Sequence, residues 1–207
     1  GNFDGDGNQG TEAVNGLAVT ATSVEDELLI GIGAGGAFGD DAVGIALSVT
    51  VGILKGNTRA YLGDGAVING DNTGANAAQG VLLRAADQTG ITSVAGGLAI
   101  STETGIGGAV TVAIVENDVH AVAEGNNTID AAGAVTFDAD SRTEIDAVAI
   151  SVAGVVSDDS LAFAFAGSGS GNTVDNDVRA VVGAGSTINA GGALTLSASD
   201  DSNITAD

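Results

Sequence analysis

The chain has 207 residues and a net charge of −22, from 27 Asp and Glu against 5 Lys and Arg, so it cannot neutralise a phosphate backbone or an anionic bilayer, and nucleic acid is excluded as a partner. The absence of Cys removes disulfides, iron–sulfur clusters and thiolate zinc sites together. An apolar fraction of 44% is too high for a disordered acidic chain, while 34 glycines and only 3% aromatics are too thin a supply of large side chains for an aromatic-centred core.

Residues 1–12 read as an Asx/Gly-rich linker or the end of a preceding coil. Within them Asn2, Asp4, Asp6 and Asn8 place oxygen ligands at alternate positions, with Gly7 where a calcium loop needs its turn. The match fails at the twelfth place, Ala13, with the acid Glu12 one residue early. Two readings stand, a calcium site and a solvated linker, and the linker is favoured because Asx-Gly runs commonly form turns without an ion. No other cofactor is suggested.

From residue 13 onward the chain repeats itself. Four segments align, GLAVTA (16–21), GVLLRA (80–85), AVTFDA (134–139) and ALTLSA (193–198), and their first large apolar residues are 64, 54 and 59 residues apart. A second block precedes three of them, at 57–70, 117–131 and 176–190. It starts at Asn57, Asn117 and Asn176, places a basic residue or His two or three positions later, and carries Ile68, Ile129 and Ile188, each followed by Asx, near its end. The first copy is one residue short before its Gly and carries seven extra residues within 70–80, which read as a loop inserted at a corner. Apolar residues alternate inside each unit, as in Val135/Phe137, Leu194/Leu196 and Val110/Val112/Ile114, which is the period of a strand. Glycine and Asx clusters at 63–65, 124–127 and 183–186 mark corners.

Short strands with regular corners predict an all-β parallel β-solenoid over 13–207, with units about 22–85, 86–139 and 140–198. A coil of roughly 20 residues divides the repeat into about three, giving about ten coils and a rod on the order of 50 Å long. The absence of Pro suits a stack in which each coil donates backbone hydrogen bonds to the next. Val, Ile and Leu stacked in columns, with Ala and Gly between them, would fill its narrow core.

The string NDVRAVVGAGSTINAGGALTLSASDDSNI (176–204), with its degenerate copies at 57–91 and 117–145, resembles the repeat region of giant bacterial filamentous adhesins of the filamentous-haemagglutinin and leukotoxin-like group. That resemblance implies a right-handed parallel β-helix at the extracellular bacterial cell surface. It also implies a stalk or fibre role, with neighbouring repeats or identical subunits as partners, and host or matrix glycans engaged through modules outside these residues. The chain opens at Gly1 with no leader-like segment and reads as an internal or mature piece, and its apolar runs are shorter than the roughly 20 residues that span a bilayer.

Acid pairs at Asp40/Asp41, Asp158/Asp159 and Asp200/Asp201, with single acids at Asp87, Asp140 and Glu144, raise the alternative of a carbohydrate-active β-helix. The acids are expected mostly in solvated corners, and a polyuronate substrate would need basic residues that this chain lacks. A non-catalytic role is therefore expected. His120 shares a repeat column with Arg59 and Arg179 and reads as an outward substitute rather than a ligand or base.

Overall fold

The computed structural model describes residues 14–70, 72–157 and 162–207. The fold is all-β, built from parallel sheets stacked as in a β-solenoid. Each turn of the chain runs through two long strands and one short one: β1 (Gly16–Ala37), β2 (Val43–Leu62) and β3 (Val67–Ile68), then β4 (Gly80–Ser101), β5 (Thr104–Ala123) and β6 (Thr128–Ala131). The series continues with β7 (Val135–Val155), β8 (Phe163–Val182), β9 (Thr187–Ala190) and β10 (Leu194–Ala206). Three sheets result, ordered β1-β4-β7-β10, β2-β5-β8 and β3-β6-β9.

The strand register repeats the sequence alignment, with Leu17 opposite Val81, Val81 opposite Val135 and Val135 opposite Leu194. One whole repeat is therefore one rung. The expected division into about ten coils of roughly 20 residues does not hold, because the long sheet contains four strands among the described residues. The 20-residue pieces are single strands instead. At about 3.3 Å per residue a 22-residue strand is about 70 Å long, whereas four rungs advance only about 14 Å from first to last. The sheets are long along the strands and short along the stack.

Corners form where the glycine and Asx clusters predict them. Gly65, Asn126 and Gly185 occupy the same place in successive rungs and all take positive φ, 72°, 57° and 76°. Asn127, buried in the second corner, accepts from the Ala66 N–H at 2.7 Å and so ties that corner to the rung below it. The insertion at 70–80 lies between β3 and β4, as a looped corner should. There Asn76 makes an Asx turn, accepting from the Ala78 N–H at 2.9 Å.

The core is a wedge. Near the β3 end it holds Leu83, Phe137, Val81, Val135 and Ile129, all essentially inaccessible. Midway it narrows to Ile91, Val115 and Ile145, then to Ala95, Ala109 and Ala149. At the thin end the two long sheets meet backbone to backbone. A β-carbon built on Gly97 would overlap the Gly108 carbonyl oxygen and stand 3.0 Å from its carbonyl carbon. Glycine is required there by close approach rather than by φ.

This taper reverses the expected use of large aliphatics. In the half of β2 next to the thin end, Ala46, Ser48 and Thr50 point inward, while Ile45, Leu47 and Val49 point out. Val110, expected in a stacked core column, is likewise exposed. A strand that buries Leu62 and Ala60 at its thick end fixes the parity of every residue along it, so small side chains face the narrow gap and large ones face away.

Candidate functional site

The residues singled out in the sequence separate into three places. Asn2, Asp4, Asp6, Asn8 and Glu12 lie outside the described residues, as do Asp158 and Asp159. Ile68, Ile129 and Ile188 stack directly on one another in the third sheet. Asn117 and Asn176 also pair, but their partner in the first rung is Gly56, and Asn57 pairs with Asp118 on the exposed face. The first copy lacks one residue between its Asn and its basic residue, and in a strand a one-residue offset turns a side chain to the opposite face. Asn57 is therefore not the structural equivalent of Asn117.

Inside the wedge a polar belt crosses the apolar core at that level. Asp87, 1% exposed, accepts from Asn117 Nδ2 at 3.0 Å, Thr89 Oγ1 at 2.9 Å and Thr58 Oγ1 at 3.2 Å. Asn117 Oδ1 in turn accepts from the Gly56 N–H at 3.1 Å, where a side chain on Gly56 would collide with it. Burial pushes the Asp87 carboxyl above its ordinary range, against the hydrogen bonds from Thr89, Thr58 and Ser23 that favour its charged form. One rung further, Asn176 Nδ2 donates to Thr143 Oγ1 at 3.1 Å and to Asp200 Oδ1 at 2.9 Å, so the belt continues along the stack. The acids are expected mostly in solvated corners, and Asp87 departs from that expectation by lying mid-strand in the core. The signal was present, because Val81, Leu83, Ala85 and Asp87 share one parity.

On the outer face of the second sheet the same level is charged. Lys55 donates to Glu116, and Arg179 grips Asp177 with two nitrogens, its Nε at 2.6 Å from Oδ1. His120 stands in the column of Arg59 and Arg179, as the sequence predicts, but it is only 8% exposed, with Nε2 3.5 Å from Asp177 Oδ2. One ligand atom each from Asp118, His120 and Asp177 lies within 4.8 Å of the others. An oxygen–imidazole set of this kind suits a divalent cation, yet Arg179 already neutralises Asp177, and Arg59 lies 4.0 Å from Asp118. The arrangement is a self-compensated ion network.

The outer face of the first sheet carries an acidic hollow of about 410 Å³, lined in part by Asp26, Gly90, Glu144 and Asp146. Asp26, Gly90 and Glu144 form one column, so the two acids are separated by a glycine rung and their backbones by roughly 9.6 Å. Asp26 Oδ1 would stand 2.5 Å from a β-carbon built on Gly90, so the Asp26 carboxylate leans into the rung that separates it from Glu144. No Lys, Arg or His lines the hollow.

These features define the class as an all-β stack of parallel sheets with a buried polar belt and charged outer strips. No family model, curated protein or solved structure matches the chain. Among the described residues no helix is long and apolar enough to cross a membrane.

Proposed function

We propose that this chain is a non-catalytic structural segment, a stalk or fibre element of a large secreted bacterial surface adhesin, built as a right-handed parallel β-solenoid. The observation that carries the reading is one-repeat-per-rung stacking. All three sheets run through successive rungs in register, and the outermost strands have no neighbour on one side among the described residues. Such edges accept further repeats of the same chain or an identical subunit. Polar belts and corner ladders that hydrogen-bond from rung to rung, such as Asn189 Nδ2 to Asp130 Oδ1 at 2.7 Å, make each interface specific to its register.

A rung of about 59 residues that advances the stack by only about 4.8 Å is a costly way to gain length and an effective way to gain width. The segment therefore serves as a broad, stiff plate within the fibre rather than as a slender spacer. Tandem copies of the chain in one polypeptide test this by small-angle X-ray scattering. The long dimension should stay near 70 Å while the stacking dimension grows with each copy, and scattering typical of separate beads would overturn the reading.

The open edges also support a second reading, end-to-end polymerisation of separate subunits into an extracellular filament. Electron microscopy at rising concentration, with and without calcium, distinguishes the two. The acidic hollow keeps a carbohydrate-active alternative in view, and hydrolysis of neutral polysaccharides abolished by Glu144→Gln would establish it.

A further inference from the structure

The outer face of the second sheet carries an apolar field from the Val43 column to the Ile53 column. No Asp, Glu, Lys or Arg stands in it, and the charged Lys55 column bounds one side. Its first rung forms a ridge of large aliphatics: Leu47 is 68% exposed, Val49 65% and Val51 53%. Two rungs away, in the same columns, stand Gly167, Gly169 and Gly171, and β-carbons built on these meet nothing within 4 Å. Glycine in a strand costs stability unless another body comes close, and among the described residues nothing approaches these three.

Ridge and trough lie on one face, on either side of β5, at matching positions along the strands. We propose that this face is a self-association surface, on which two copies of the chain pack about a two-fold axis running along β5. That operation lays Leu47, Val49 and Val51 of each copy over Gly167, Gly169 and Gly171 of the other, the reciprocal contact of an isologous dimer. Ridge meets trough in three columns, and in the flanking columns the same operation packs Val43 and Ile45 against the exposed Phe163 and Phe165 of the other copy. The whole field of six columns by three rungs covers about 500 Å² per copy, or about 1,000 Å² for the pair, which reaches the lower bound of a specific interface. The high net negative charge opposes contact through the charged parts of the surface, and the registered ridge and trough set this face apart.

The outer face of the first sheet also carries an uncharged apolar field, with Ile30, Ile32, Ile150 and Val152 exposed, but no run of adjacent open glycines there stands opposite a ridge of large aliphatics. A bilayer is a poorer occupant, because the unpaired backbone of the outermost strands would lie in hydrocarbon.

Sedimentation equilibrium of the 207-residue chain over rising concentration tests the proposal. A monomer–dimer equilibrium is expected. Val49→Glu should weaken it by roughly tenfold or more, since the new carboxylate would be desolvated against the partner. Gly169→Val should weaken it comparably by filling the trough, without lowering the melting temperature of the monomer, and so answers the question even if Val49→Glu fails to fold. Three results would overturn the idea. The chain could stay monomeric to its solubility limit, it could form open-ended oligomers that ignore both substitutions, or it could float with phosphatidylcholine vesicles as a monomer. The second would leave the fibre role standing, so the two readings fail separately.

Discussion

Gly97→Ala tests the wedge most directly, because it adds one methyl group at the narrowest part of the core. The new carbon would overlap the Gly108 carbonyl oxygen and stand 3.0 Å and 3.1 Å from the Gly108 carbonyl carbon and nitrogen. Ordinary contact begins near 3.4 Å, and every atom met belongs to backbone, so the two sheets must separate by several tenths of an ångström over at least one rung. Overpacking of this kind costs about 1–3 kcal/mol. The better strand preference of Ala over Gly returns about 0.5–1 kcal/mol, leaving a net loss of about 1–2 kcal/mol. In a chain of this size that is a fall in melting temperature of roughly 2–8 °C, measurable by circular dichroism alongside urea unfolding. The control is Gly154→Ala, in β7, where a β-carbon meets nothing within 4 Å and the same change should stabilise by about 0.5 kcal/mol. If Gly97→Ala matched or exceeded the stability of the parent, the sheets could not approach as described and the taper would be wrong.

Phe137→Ala removes the largest fully buried side chain at the thick end and should cost about 3–5 kcal/mol in urea unfolding. Asp87→Asn tests the polar belt through pH. Because the folded-state pKa of Asp87 is raised, the folded protein binds that proton more tightly, and this contribution to stability is present at low pH and lost as pH rises through the raised value. The Asn variant should lose that slope in its urea midpoint and be the more stable protein at neutral pH. Asn117→Ala strips Asp87 and the Gly56 N–H of a partner and should cost about 2–3 kcal/mol, detected as faster hydrogen exchange at Gly56. Lys55→Ala breaks an exposed pair with Glu116 and should change stability by less than about 1 kcal/mol, a difference that salt erases.

Much of the fold was legible because it is written in period and spacing. Alternation at 134–139 and 193–198 requires strands, the corner glycines fall where φ turns positive, and the 64-, 54- and 59-residue offsets reappear as strand register. The Ile68, Ile129 and Ile188 column was readable for the same reason. The candidate site was less legible. A single missing residue misassigned Asn57, and the burial of Asp87 follows from strand parity rather than from any local preference of aspartate.

Two features were decided only by the tertiary structure. The first is the length of each rung: glycine-rich text such as residues 31–37 suits a corner or a strand equally, and it is held extended by its parallel ladder to β4 and the close approach of the β2 backbone. The second is which parity faces inward. Local composition would bury Val43, Ile45, Leu47, Val49, Val51 and Ile53, but an unbroken strand carries the parity set by Ala60 and Leu62 at the thick end through to the thin one. There the gap between the sheets admits only small side chains, so the aliphatics that the sequence marks as core become surface.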